Sequence, residues 1–375
     1  MENKKIILVS DSFPPVPSGV SKYSYFLTKK LLEKGNRVFV ITGGVKNIPY
    51  EDYEIQKMGG EVIRFGKLIS VYANGTRCFI TIVGLRDIIK LKRTFETIQP
   101  DVVLMNGPLG LTLPYPATIF SKSKMVGIFH SSTDKPNLGF ILFRQIMKPF
   151  LKKLDVKIAV SERAKDEIEK YFGKQDFFII PPGVDTELYK PSKGKKSDEN
   201  ITFFFLGRLD KRKGVDVLLK SWENIRKFGN KKNREVPLNL VIGGDGPMRS
   251  LVQAEAKKQK NIKYIGFVEE KILPEIYASA DVSVFPSKGG ESFGIVLIES
   301  MACGTPPIAS NIGGYKDVVK DKYVGLLFSS EKELIQKINE ISANEKMREQ
   351  LSKNSIEYAK VYDWKTIAEK IMNVI

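Results

Sequence analysis

The stretch Val282-Ser283-Val284-Phe285-Pro286-Ser287-Lys288-Gly289-Gly290-Glu291-Ser292-Phe293-Gly294-Ile295-Val296-Leu297-Ile298-Glu299-Ser300 holds an apolar run, a glycine-bearing loop and an apolar helical pattern, in that order. Its first four residues read as a buried strand, and Ile295, Leu297, Ile298, Met301 and Ala302 carry the helix. A strand that feeds a helix N-terminus through such a loop makes a ready anion site. The first N–H groups of the helix have no intrahelical acceptor, and the helix dipole is positive there. Two carboxylates flank the site: Glu291 in the loop and Glu299 about 8 Å along the axis of a helix that starts near Gly294. A phosphate has no use for a carboxylate, but hydroxyl groups beside a phosphate do, since each carboxylate accepts two or more O–H bonds. Sugar hydroxyls on either side of a diphosphate fit that description. So does a plainer arrangement, a solvated loop glutamate and a helix glutamate in an ion pair.

The rest of the chain repeats the same alternation. Residues 5–9, 37–41, 61–65, 101–105, 125–130 and 156–160 read as strands. Residues 18–32 and 86–98 read as helices, the first closed by Lys34-Gly35, and Ser161 caps a third. Residues 179–185 (Ile-Ile-Pro-Pro-Gly-Val-Asp) mark a hinge, and a polar surface run follows at 190–200. The pattern then restarts with a strand at 201–206, the loop Gly207-Arg208-Leu209-Asp210-Lys211-Arg212-Lys213-Gly214 and a helix from Val215. Arg208 and Lys213 share that loop and can converge on a single anion. A strand at 238–242 leads into Gly243-Gly244-Asp245-Gly246-Pro247, another strand is expected at 262–267, and Gly313-Gly314 offers a further close backbone approach. Strands spaced by helices give doubly wound parallel sheets, whose ligands bind beyond the carboxyl ends of the strands. The expectation is an α/β chain of two Rossmann-like domains, 1–181 and 182–361, with an amphipathic end at 362–375.

Composition narrows the function classes. The formal net charge is +17, and residues 61–160 hold 15 Lys/Arg against 6 Asp/Glu. That one-sided excess suits an anionic partner, nucleic acid or anionic lipid, or simply lysine-rich solubility. Nucleic-acid binding asks for aromatics interleaved with cations. The most concentrated aromatic run, Phe203-Phe204-Phe205, lies instead within an expected strand, so no nucleic-acid partner is expected. Residues 86–95 combine Ile88, Ile89, Leu91 and Phe95 with Arg86, Lys90, Lys92 and Arg93. Such a helix can lie on an anionic membrane, each cation contributing about 1 kcal/mol, or pack on a core with its charges solvated. With only Cys78, Cys303 and His130 as soft ligands, and no Asp-any-Asp tripeptide, no metal site and no cofactor is expected. The short run 6–9 is too brief for a signal peptide core and no apolar run spans a bilayer, so a cytosolic or membrane-surface protein is expected. His130 ends an expected strand and is followed by the small polar run Ser131-Ser132-Thr133-Asp134-Lys135. It suits either a structural or a substrate-facing role.

The two glutamates with seven residues between them, taken with residues 207–219, 126–161, 289–302 and 362–372, resemble the retaining GT-B glycosyltransferases of glycosyltransferase family four. Within that family they are most similar to the phosphatidylinositol mannosyltransferases. The resemblance implies a GT-B fold whose two domains face a cleft, with residues 362–375 crossing back onto the first. It implies a metal-independent, front-face transfer in which the leaving phosphate helps deprotonate the acceptor. It further implies GDP-mannose as donor and a phosphatidylinositol-like lipid as acceptor, at the cytoplasmic face of a membrane. By the same resemblance Glu291, His130, Arg208 and Lys213 are the catalytic candidates. Gly19, Gly244, Ser292, Phe293, Gly294, Ile295 and Glu299 join Arg208, Lys213 and Glu291 in donor binding. Asp11, Tyr72, Asn74, Thr76, Arg77 and Lys135 are the acceptor candidates. Two departures stand out: Ser18 replaces one of the family's paired loop glycines beside Gly19, and Ala73 interrupts the acceptor loop. A UDP-sugar donor, a soluble acceptor and, in another class, a basic nucleic-acid-binding protein are the alternatives.

Overall fold

The computed structural model describes residues 3–73, 76–134, 136–192, 200–229, 237–320 and 322–375. The chain divides into two compact units, residues 1–183 with 364–375 and residues 184–363. The division falls two residues beyond the expected one at both crossings.

In unit 1 the strands are β1 (Lys5–Ser10), β2 (Arg37–Gly43), β3 (Glu61–Phe65), β4 (Lys67–Ala73), β5 (Thr76–Ile82), β6 (Val102–Asn106), β7 (Lys124–Phe129), β8 (Val156–Ala159) and β9 (Phe178–Ile179). The helices between them are α1 (Gly19–Glu33), α2 (Tyr50–Lys57), α3 (Leu85–Ile98), α4 (Pro114–Phe120), α5 (Leu138–Lys153) and α6 (Glu162–Phe172). Seven strands form one parallel sheet in the order β3-β2-β1-β6-β7-β8-β9. Its central strands are buried on both faces, which is why β1 and β6 read as unbroken apolar runs rather than as alternating ones. One face packs on α1, the other on α3, α4, α5 and α6. The β4–β5 pair is an antiparallel hairpin outside this sheet.

Local sequence accounts for the ends of α1. Ser18 accepts from the Ser21 N–H at 3.1 Å, so the residue that departs from the family's glycine is the N-cap. Gly35, at φ +83°, closes the other end.

Unit 2 holds β10 (Ile201–Leu206), α7 (Val215–Gly229), β11 (Leu238–Gly243), α8 (Arg249–Lys258), β12 (Ile262–Gly266), α9 (Leu273–Ser279), β13 (Val282–Phe285), α10 (Ile295–Ala302), β14 (Pro307–Ser310), α11 (Gly313–Val318), β15 (Leu326–Phe328), α12 (Glu331–Ala343) and α13 (Glu345–Ala359). Its six parallel strands run β12-β11-β10-β13-β14-β15. The chain then returns to unit 1 as α14 (Trp364–Met372), which buries Trp364, Ile367, Ala368 and Ile371 against the α1 side of the first sheet. Trp364 meets Phe26 stacked at 6.1 Å and Tyr23 edge-on at 5.1 Å. In both sheets the strand order reverses beside the first strand of the unit, between β1 and β6 and between β10 and β13. Loops leaving the carboxyl ends there diverge to opposite faces and open a crevice.

Candidate active site

The loops of that crevice in unit 2 are residues 207–214 after β10 and 286–294 after β13, and they are locked together. Gly214 has φ +71°, and a Cβ there would lie 1.9 Å from the Pro286 carbonyl oxygen, so only glycine permits the approach. The Lys288 N–H donates to the Arg212 carbonyl at 2.7 Å, and the Lys288 ammonium pairs with Asp216 at 2.7 Å. Glu291 sits where the loops meet. Its Oε1 receives the Arg212 guanidinium at 2.6 Å and the Lys213 ammonium at 2.8 Å. Ser287 donates to the same oxygen at 3.4 Å and lies 3.1 Å from the Tyr315 hydroxyl. Burial alone would lower the Lys213 pKa, but the Glu291 carboxylate, with Tyr315 adding to it, offsets this and holds the ammonium above the ordinary lysine range. Burial, with Glu291 adding to it, pushes the Tyr315 phenol up to about 12.

Arg208 stands in the same loop with Asp210 at 3.3 Å, and Asp210 also accepts the Lys213 N–H at 2.9 Å. One aspartate therefore holds the Arg208 side chain and the Lys213 backbone of the same loop, while the Lys213 ammonium pairs with Glu291. Gly244 (φ +127°), at the end of β11, abuts the Gly207 carbonyl. Gly314 backs the Glu291 loop, its N–H donating to the Glu291 carbonyl at 3.2 Å. Ser292 and Phe293 complete that loop, and Gly294, at φ +101°, is the N-cap of α10. The Leu297 N–H closes back on Gly294 at 2.9 Å, so N–H groups at and just after Ile295 lie at the open helix end. Glu299 is only 2% exposed, one turn inside α10, and its charge helps raise the phenols of Tyr189 and Tyr277 after burial has done most of that.

In unit 1 the corresponding edge carries His130, one residue past β7. Its Nε2 lies 3.0 Å from Asn106 Oδ1 at the end of β6. The Asn106 amide donates to Ser24 Oγ at 2.6 Å, which leaves Oδ1 to accept from the imidazole. That fixes the proton on Nε2 and leaves Nδ1 as an acceptor. The ring packs edge-on to Tyr23 at 4.6 Å, and burial holds its pKa down at about 4, so it is neutral.

Asp11, one residue past β1, accepts the Thr81 N–H at 3.0 Å and the Thr112 hydroxyl at 2.5 Å, bracing the hairpin and the loop after β6, and burial raises its pKa. Gly19 is the first residue of α1. Of the acceptor loop expected at 72–77, Tyr72 and Ala73 end β4 and Thr76 and Arg77 begin β5, with Tyr72 opposite Arg77 and Ala73 opposite Thr76. Asn74 and Lys135 lie outside the described residues. On α3, Arg86, Lys90, Lys92 and Arg93 are exposed, but Leu91 and Phe95 are in the core. The helix packs as a wall of the domain, and of its expected apolar outer face only Ile89 remains exposed.

Of the residues named from the sequence, the structure pairs Lys213 with Glu291 in the loops before α10, and it sets Arg208 beside Asp210 in the Lys213 loop. Sequence reasoning missed Arg212, Asp210, Ser287, Tyr315 and Asn106. The Lys211-Arg212-Lys213 run announced cations without saying which would turn inward, and Tyr315 and Asn106 sit beside glycines that mark turns.

Two family models match the chain: "Glycosyltransferase Family 4" over residues 17–188 and "Glycosyl transferases group 1" over residues 185–358. The phosphatidyl-myo-inositol mannosyltransferase of Mycobacterium leprae is 28% identical over 367 residues, covering 96% of this chain and 93% of its own. A phosphatidylinositol N-acetylglucosaminyltransferase component from Arabidopsis thaliana is 25% identical, covering 98% of this chain and 80% of its own. Among solved structures, Anabaena Alr3699/HepE in complex with UDP and glucose superposes with a TM-score of 0.76 at 18% identity, over 99% of this chain and 98% of that one. That likeness extends through both units and is one of GT-B fold.

Proposed function

Since the chain belongs to the group 1/family 4 glycosyltransferases, we propose that it moves a hexosyl group, with retention and without a metal, from a nucleoside-diphosphate sugar to the inositol-type head of a phospholipid. The observation that carries this is the Lys213–Glu291 pair in the loops before the N-terminus of α10, with Arg208 in the same loop as Lys213. Arg208, Lys213, Gly244 and the N–H groups near Ile295 take the diphosphate. Their charge is set in place before reaction, which is where preorganised donors accelerate loss of a leaving group most. Lys213 already carries its proton, held by Glu291, so a diphosphate arriving there meets a full cation. Glu291 then accepts hydroxyls of the sugar and Glu299 those of the ribose, while in unit 1 neutral His130, with Nδ1 left as an acceptor, can take a substrate hydroxyl. In a front-face transfer the departing phosphate oxygen takes the acceptor's proton, so no protein nucleophile is required.

The donor we assign is GDP-mannose, and the acceptor a phosphatidylinositol, because the relatives that match nearly the whole chain are named for mannosyl and N-acetylglucosaminyl transfer to that lipid. A UDP-sugar donor is the second reading, favoured by the Anabaena protein solved with UDP and glucose. We place the enzyme at the cytoplasmic face of a membrane. Among the described residues no helix is long and apolar enough to cross one. Transfer of radiolabelled mannose from GDP-mannose to phosphatidylinositol in excess EDTA tests the reading. Loss that a divalent cation restores counts against the metal-free step, and transfer from UDP-glucose alone favours the second donor.

A further inference from the structure

Helix α5, between His130 and β8, has two unlike sides. Met147 and Leu151 enter the core, and Phe150 meets Tyr115 of α4 at 4.3 Å. On the other side Leu138, Ile141, Leu142 and Ile146 follow the i, i+3, i+4 spacing that makes one stripe, and all four are exposed, Leu142 by 74%. Phe143 is exposed beside them. Monomer surfaces scatter apolar side chains singly; a contiguous stripe marks an interaction surface. Beyond the stripe the same side turns basic, with Lys148, Lys152 and Lys153 exposed, and α5 contains no Asp or Glu. Because α5 starts eight residues after His130, its apolar half begins at the sheet edge that carries Asp11, Asn106 and His130.

We propose that α5 is the surface by which this chain docks on an anionic bilayer, with Leu138, Ile141, Leu142 and Ile146 entering the acyl boundary and Lys148, Lys152 and Lys153 at the head groups. The proposal deepens the lipid-acceptor reading above and rests on it for the reason a membrane is visited. Charge selects the occupant. The basic end of α5 has no acidic residue on the helix to pair with, and anionic head groups complement it. The basic helix α3 offers a smaller insertion, Leu85 and Ile89 alone, because Leu91, Phe95 and Ile98 are in the core. It packs beside α4, and α4 beside α5, so its four cations add attraction on the same face of the sheet.

Vesicle flotation tests this, using phosphatidylcholine alone and phosphatidylcholine doped with phosphatidylglycerol. The wild type floats with the anionic vesicles. The triple variant Ile141→Ser/Leu142→Ser/Ile146→Ser, and separately the single variant Leu142→Glu as a milder check on folding, bind them about tenfold less or worse. Arg86→Ser/Lys90→Ser/Lys92→Ser/Arg93→Ser loses less than either. All the variants keep the wild-type thermal midpoint and nucleotide-sugar hydrolysis. Wild-type protein that stays with the soluble fraction overturns the proposal, as do α5 variants that float like wild type. So does a wild-type dimer in sedimentation that the α5 variants turn into monomer with vesicle binding unchanged. If hydrolysis is missing from wild type and variants alike, the glycosyl-transfer reading fails while flotation still decides the surface.

Discussion

Glu291 holds two cations on one oxygen, and that makes its role separable from that of Glu299. Replacing Arg208 or Lys213 with Ala removes a proposed diphosphate contact while the Arg212–Glu291 pair and the Lys288–Arg212 backbone bond still join the loops, so transfer should fall about 10²–10³-fold with the fold intact. Steady-state rates beside a thermal melt check this, and a variant that keeps most of its turnover would move the phosphate site elsewhere. Glu291→Gln keeps an acceptor oxygen for Arg212 and Lys213, so it should leave binding of the bare nucleoside diphosphate nearly unchanged and stop transfer, whereas Glu299→Gln should weaken the binding itself. Calorimetry decides, and equal losses in both would remove the division of labour. His130 gives a pH signature. Its folded pKa of about 4 lies below the ordinary 6.5, so the unfolded chain binds the extra proton between those values. Stability from this group is full above pH 6.5 and is lost as pH falls toward 4. By this group alone unit 1 should be about 2 kcal/mol less stable at about pH 5 than at about pH 7. His130→Gln should flatten that part of the urea-melt pH profile.

The junction of the two loops in unit 2 depends on Gly214. With a Cβ 1.9 Å from the Pro286 oxygen, Gly214→Ala must part the loops, costing at least about 2 kcal/mol and taking Arg212 and Lys213 from Glu291. A lower melting midpoint with weakened nucleotide binding is expected; unchanged binding would show that the junction is dispensable. The elements themselves were largely readable in the sequence, because buried parallel strands carry apolar runs and their helices carry caps, as 282–285, 18–33 and 161–172 show. What could not be read was orientation. The period of α3 announces an amphipathic helix, but not that Leu91 and Phe95 serve the core rather than a membrane. The sixteen residues of α5 are apolar or basic nearly throughout, so no period separates their two sides, and only packing reveals the exposed stripe. The β4–β5 hairpin hid because Tyr72, Ala73, Thr76 and Arg77, which pair across it, lie in a stretch that resembles a family loop. Cations in a Lys-Arg-Lys run are likewise indistinguishable until one of them meets a carboxylate.

The whole molecule consists of two doubly wound units, and the last helix belongs to the first of them. Trp364 is 2% exposed between Tyr23 and Phe26, so Trp364→Ala should cost about 3–5 kcal/mol, felt in the unfolding of unit 1. Two resolved denaturation transitions, with only one shifted, are the expected record. A shift of both would mean the units unfold together. The cation cluster of unit 2, set in a crevice where the strand order reverses, underlies the reading of the chain as a nucleotide-sugar enzyme. The most direct measurement is a panel of nucleotide-sugars, scored for thermal stabilisation and for transfer to phosphatidylinositol vesicles in excess EDTA. The result predicted here is stabilisation by a nucleoside-diphosphate sugar, foremost GDP-mannose, with metal-free transfer to the lipid that Lys213→Ala abolishes. Stabilisation by no nucleotide-sugar, or transfer that Lys213→Ala leaves intact, would contradict the account.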